Sequence, residues 1–291
     1  MSIFKGSGVA IITPMNDDYS VNFKKLEQLI EFNIKNGTDA IIVCGTTGEA
    51  KTLNDTEHKD VLKFTTQTVS GRVPVIAGTG SNDTGYSIQM SQYAQKIGVD
   101  GLLLVTPYYN KTSQKGLFLH FSTIANSVDI PCILYNVPSR TGINIDISTY
   151  KKLAQVENIV AVKEASGNIS QIAKIAAETN LDIYSGNDDQ IVPIMSLGGI
   201  GVISVAANII PKEMHDLCND MLNENYNSAL NTQIKYLDLI NSLFCEVNPI
   251  PVKTALNLMG YNVGPLRLPL CEMDECNLNI LKNSLKKVNL I

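Results

Sequence analysis

Charge of one sign is what this sequence conspicuously lacks. Its 291 residues carry 23 Lys and Arg against 28 Asp and Glu, a net charge of −5 with no long run of either sign. No basic footprint for nucleic acid or an anionic membrane surface is present. No apolar stretch approaches the roughly 18 residues of a spanning helix. The opening segment MSIFKGSGVAIITPM has only a short apolar run and no signal-peptide layout, so a cytoplasmic protein is expected. The six cysteines (Cys44, Cys132, Cys218, Cys245, Cys271 and Cys276) form no CxxC pair, and the close pair Cys271/Cys276 has no neighbouring histidine. Packed, reduced thiols are expected rather than disulfides or a metal site. The three histidines, His58, His120 and His215, stand alone in helix-like stretches and read as structural or surface groups. Nothing here calls for a metal or an organic cofactor.

What is present is repetition. Apolar, β-branched runs recur at Gly8–Thr13, Ala40–Gly45, Pro74–Gly78, Gly101–Pro107, Pro131–Pro138, Ile159–Val162, Leu181–Gly186 and Gly201–Val205. Stretches with helical spacing separate them, at about 21–36, 54–69, 83–97, 113–126, 146–155, 169–178, 188–197 and 211–222. Gly37 closes the first as a C-cap would, and Asn54 with Glu57 makes a capping box for the second. Strict alternation implies parallel strands with helical crossovers. The expected fold is therefore α/β, a (β/α)8 TIM barrel over residues 1–224. A doubly wound sheet is the alternative, but it would offer a glycine-rich phosphate loop after the first strand, where this chain has TPMND. Residues 225–291 offer no strand. Helical spacing at 226–244, 250–259 and 273–288 predicts a C-terminal helical extension.

A (β/α)8 enzyme builds its site where its strands end. Those ends carry Gly45-Thr46-Thr47-Gly48-Glu49, Thr106-Pro107-Tyr108-Tyr109-Asn110, Tyr135-Asn136-Val137-Pro138 followed by Arg140, Lys163, and Ser185-Gly186-Asn187-Asp188. Side chains alternate across a strand, so Ala161 and Lys163 share one face and Ile133 and Tyr135 another. If both faces point inward, Tyr135 and Lys163 meet at the barrel mouth, while Glu164 faces the helices. A free lysine is neutral only about once in 2,500 at pH 7, and burial can raise that fraction by orders of magnitude. A neutral amine beside a phenol suits imine formation with a carbonyl substrate, the phenol moving protons. Thr46 is placed to relay a proton. The Thr46-Thr47 turn and Arg140 are suited to carboxylates. Each feature alone reads more simply as a turn, a packing pair or a solvated side chain, and Glu49 as a structural partner. Their joint placement at successive strand ends is what points to chemistry.

Along its whole length the chain resembles the pyruvate-dependent class I aldolase family, which includes dihydrodipicolinate synthase and N-acetylneuraminate lyase. The resemblance rests on GTTGE (Gly45–Glu49), TPYYN (Thr106–Asn110), YNVPSRTG (Tyr135–Gly142), VKEASGN (Val162–Asn168), SGND (Ser185–Asp188) and GVISV (Gly201–Val205). GTTGE and Arg140 favour the dihydrodipicolinate synthase branch over the sialic acid lyases. The resemblance implies an imine between Lys163 and pyruvate, and a proton relay of Tyr135, Thr46 and Tyr109, with Tyr109 crossing a dimer interface. It implies that Thr46 and Thr47 hold the pyruvate carboxylate and that Arg140 receives the carboxylate of aspartate semialdehyde. Gly186 and the Ile203 carbonyl would line the pocket. It further implies no cofactor and a homotetramer built as a dimer of dimers. A sugar-acid or N-acetylneuraminate lyase of the same family is the alternative activity. A catalytically silent barrel is the alternative of another class, which the complete lysine, tyrosine and threonine set opposes. The positions that line the lysine-effector site of inhibited relatives differ here: Ala50, Lys51, Asp55 and Tyr86 stand where those relatives have polar residues, a histidine and a glutamate, while His58, Asn82 and Tyr108 match. Weak or absent feedback by lysine is expected.

Overall fold

Eight parallel strands close on themselves in chain order in the computed structural model, which describes residues 2–291. They are β1 (Gly6–Ala10), β2 (Ala40–Val43), β3 (Val75–Gly78), β4 (Gly101–Val105), β5 (Cys132–Asn136), β6 (Ile159–Glu164), β7 (Asp182–Ser185) and β8 (Gly201–Ser204). Pairing of β1 with β8, Gly6 opposite Gly201, seals the barrel. The expected (β/α)8 architecture is therefore the observed one. Helices cross between successive strands, and Tyr226–Ser242, Ile250–Leu258 and Glu275–Lys287 follow the last unit. Among the described residues no helix is long and apolar enough to cross a membrane.

Two apolar layers explain the closure. Residues of one parity, such as Val43, Leu104, Leu134 and Val162, pack outward under the helices. The other parity fills the barrel with Ala10, Ile42, Ile76, Leu103, Ile133, Ala161 and Ile203. Strands buried on both faces read as unbroken apolar runs for this reason. Tyr184 plugs the lower end, its ring stacked 4.3 Å from that of Phe4 and its hydroxyl donating to the Phe4 carbonyl at 2.7 Å. The free interior is left at the opposite, C-terminal mouth.

Several boundaries depart from the sequence reading. The first strand begins at Gly6 and ends at Ala10 instead of running from Gly8 to Thr13. Beyond it the Ile12 N–H turns to the Asn208 side chain, at 3.1 Å, although the apolar run itself continues. The helix expected from residue 188 starts at Ile191, because Asp188–Gln190 is a 3-10 turn. A four-residue helix, Pro138–Thr141, was too short to show periodicity. Cys44, Cys132 and Cys218 are buried free thiols as expected, but Cys271 and Cys276 are exposed rather than packed. They lie on the loop before the last helix and in its first turn, outside the core.

Candidate active site

Register decides the centre of the site. Across β5 and β6, Ile133 pairs with Ala161 and Tyr135 with Lys163, so lysine and phenol are lateral neighbours on the inner face. The Lys163 ammonium nitrogen sits 4.6 Å from the centre of the Tyr135 ring. Both side chains are buried. Burial lowers the Lys163 pKa to about 8; Asp188 opposes that shift and the Arg140 charge adds to it. Burial raises Tyr135, while Arg140 and a hydrogen bond from Thr46 pull it back. A low-dielectric pocket penalises the charged form of each group, which moves amine and phenol towards neutrality.

These groups face a cavity of about 670 Å³. Thr46, Thr47, Arg140 and Gly186 line it with Tyr135 and Lys163. Local backbone geometry presents the threonines: Cys44 and Glu49 both take left-handed conformations, φ 55° and 52°, at the two ends of the turn. Gly78 lies so close beneath that a Cβ there would meet the Cys44 carbonyl oxygen at 2.2 Å. Gly186 is required in the same sense, since its Cβ would come within 2.6 Å of the Ala165 methyl. Ile203 packs its side chain in the inner layer, and Val205 forms the cavity wall on that side. Tyr109, 91% exposed, stands clear of the cavity within a single chain.

Glu164 points away from the mouth, as its parity requires. Its carboxylate accepts from the Tyr150 hydroxyl at 2.8 Å, the Asn136 amide at 3.0 Å and the Ser166 N–H at 2.9 Å. It fastens the chain just past Lys163 instead of acting as a base. Glu49 is structural as well: its carboxylate is buried, 2.7 Å from Lys253 Nζ, and also accepts from the Arg267 N–H at 3.1 Å.

Two contributors escaped the sequence reading. Asp188 is buried at the start of the 3-10 turn that follows β7, and one of its oxygens accepts from the N–H groups of Val205 and Ala206 at 3.0 and 2.9 Å. Its nearby charge is what holds the Lys163 pKa up. The second contributor is the segment Phe244–Asn248, which supplies one wall of the cavity from the C-terminal extension. The SGND motif hinted at Asp188, but a loop between two helices carries no periodic signal and nothing pointed to Phe244–Asn248.

A buried amine of depressed pKa beside a phenol can attack a carbonyl carbon and lose water to an imine, with the phenol carrying protons. Hydroxyls and a guanidinium around it can seat carboxylates. Comparison with known proteins agrees with this chemistry. Residues 3–288 match the family described as the dihydrodipicolinate synthetase family. The chain is 60% identical to the 4-hydroxy-tetrahydrodipicolinate synthase of Clostridium novyi, over 99% of this chain and 98% of that protein. It is 61% identical to 4-hydroxy-tetrahydrodipicolinate synthase 1 of Clostridium acetobutylicum, over the full length of both. The crystal structure of dihydrodipicolinate synthase from Aquifex aeolicus superposes with a TM-score of 0.96 at 46% identity, covering 99% of each chain.

Proposed function

This chain belongs to the dihydrodipicolinate synthetase family, and from that premise we propose how its own residues carry the reaction. It is a lyase of the class I aldolase type that condenses pyruvate with aspartate 4-semialdehyde to 4-hydroxy-tetrahydrodipicolinate, in diaminopimelate and lysine biosynthesis. The observation that carries the assignment of roles is the Lys163 amine, of pKa about 8, lodged against Tyr135 in the barrel mouth.

Lys163 Nζ attacks the pyruvate C2 carbonyl. The carbinolamine loses water to give the imine, with Tyr135 and Thr46 passing the protons. Loss of a C3 proton gives the enamine, and C3 attacks the aldehyde carbon of the second substrate, whose oxygen takes up a proton. The substrate's own amino group then displaces Lys163 from C2, closing the ring and freeing the enzyme. Thr46 and Thr47 hold the pyruvate carboxylate, and Arg140 receives that of the semialdehyde. Gly186 borders the pocket, and the Ile203 main-chain carbonyl is assigned to its floor. Tyr109, projecting from its own chain, completes the relay of a neighbouring subunit in a dimer-of-dimers tetramer. A cytoplasmic location follows from this biosynthetic role.

Pyruvate consumption by the purified protein, with and without aspartate semialdehyde, tests this beside Lys163→Ala. Consumption should require both the semialdehyde and Lys163. Equal consumption by the variant would sink the imine mechanism. An inactive wild type would redirect the search to sugar-acid cleavage.

A further inference from the structure

Thr47 stands on the loop after β2 and Arg140 in the short helix after β5, yet a single residue from the C-terminal extension holds both. Asn248 Nδ2 donates to Thr47 Oγ1 at 3.0 Å. The Asn248 main-chain carbonyl accepts from Arg140 Nη2, also at 3.0 Å. Asn248 is buried in the cavity wall, and its side-chain oxygen has no partner.

The direction of the first bond has a chemical consequence. A hydroxyl has one proton to donate and two lone pairs to accept with. Thr47 spends a lone pair on Asn248, which leaves its proton free to point at an anion in the cavity. Arg140 uses one of its donors on a neutral carbonyl and keeps the rest of its fork for a carboxylate. Holding both side chains in place before substrate arrives lowers the ordering cost of binding.

We infer that Asn248 is a positioning residue of this site: its side chain fixes the donor direction of Thr47, and its carbonyl steadies Arg140. The C-terminal extension thereby completes the seats of both substrate carboxylates. The inference rests on the roles of Thr47 and Arg140 proposed above.

Steady-state kinetics of Asn248→Ala, Asn248→Asp, Thr47→Val and the Thr47→Val/Asn248→Ala double variant test it. Asn248→Ala should raise KM for pyruvate roughly ten- to a hundredfold with kcat little changed, the loss expected for one hydrogen bond that serves a charged group. KM for the semialdehyde should move less, because the bond to Arg140 comes from the main chain. Asn248→Asp keeps the shape but cannot donate, so it should weaken pyruvate at least as much. In the Thr47→Val background the alanine substitution should add nothing to the pyruvate KM.

An unchanged pyruvate KM in Asn248→Ala overturns the inference. So does wild-type pyruvate binding by Asn248→Asp, which would mean that the amide accepts from Thr47. So do effects of Thr47→Val and Asn248→Ala that simply multiply. Thermal melting identifies a variant that fails to fold; should the alanine do so, the shape-preserving Asn248→Asp decides alone. A wild type that does not consume pyruvate with the semialdehyde defeats the proposed function before any variant is compared. Failure of the present inference shows only in variants compared with an active wild type.

Discussion

Lys163 has to be buried to be reactive and neutral to be nucleophilic, and one environment meets both needs. With a pKa of about 8 it is neutral in about a tenth of molecules at pH 7, far above a free lysine. The rate of borohydride-trapped imine formation with pyruvate should therefore climb about tenfold per pH unit below pH 8 and level off above it. A profile still climbing beyond pH 9 would show that burial does not set this group. The same shift costs stability. The folded protein releases the Lys163 proton near pH 8 and the unfolded chain near 10.5, so the penalty is complete below 8 and gone above 10.5. Lys163→Met should thus be more stable than wild type at pH 7, by up to about 3 kcal/mol, with the advantage fading as pH rises through that window. Chemical denaturation at pH 7 and pH 10 reads the difference. Tyr135→Phe keeps the ring against the lysine and removes the proton carrier, so it should cut imine formation roughly a hundredfold or more.

Single elements are tied together by what lies behind the catalytic face. The loop after β2 is fastened to the C-terminal extension through Glu49, Lys253 and Arg267, and Arg267 in turn bonds Glu57 at 2.8 Å in the next helix. Lys253 also donates to the carbonyls of Thr13 at 3.3 Å and Pro265 at 2.6 Å, so its ammonium is fully engaged inside the protein. Lys253→Met leaves the Glu49 carboxylate buried without its cation and should cost about 3–5 kcal/mol in unfolding free energy. A loss below about 1 kcal/mol would mean that water reaches the pair. The reading of Glu49 as a structural partner was available from the sequence, since it follows a Gly-Thr-Thr-Gly turn. Its partner was not, because Lys253 looks like any lysine in a helical stretch.

At the scale of the whole molecule, Tyr109 is the residue that a single chain leaves unexplained. It holds a left-handed backbone, φ 69°, with a ring that is 91% exposed. If it serves a neighbouring site, Tyr109→Phe and Lys163→Ala should each lose most activity alone, and mixing them should restore activity beyond the sum of the two, because a mixed dimer holds one complete site. No gain after subunit exchange would place Tyr109 outside the relay. The expectation of weak feedback by lysine rests on the surroundings of Lys51 and His58. Lys51 donates to the Gly80 carbonyl at 3.0 Å and lies 5.1 Å from the centre of the Tyr108 ring. Burial, with the Lys51 charge adding to it, lowers His58 to about 4, so this region already carries a fixed cation and a neutral imidazole. A titration with free lysine should give little inhibition at millimolar concentration, and strong inhibition below that would overturn the expectation.

The sequence by itself determined the alternation of eight strand and helix units, and that Lys163 shares a strand face with Ala161 as Tyr135 does with Ile133. Those properties follow from local periodicity, and a parity argument needs only neighbouring residues. It also carried the motif at each strand end, since a strand's last residues are contiguous. Strand limits were less legible: the run from Gly8 to Thr13 stays apolar although the Ile12 N–H turns away to Asn208. Only the tertiary structure decided that Asp188 tunes the lysine, that Glu49 pairs with Lys253, and that Asn248 joins Thr47 to Arg140. The bonded links join residues far apart in the chain, and Asp188 acts on the lysine through its charge. Such links leave no period to read, because they exist only once the barrel has closed and the C-terminal helices have packed over its mouth.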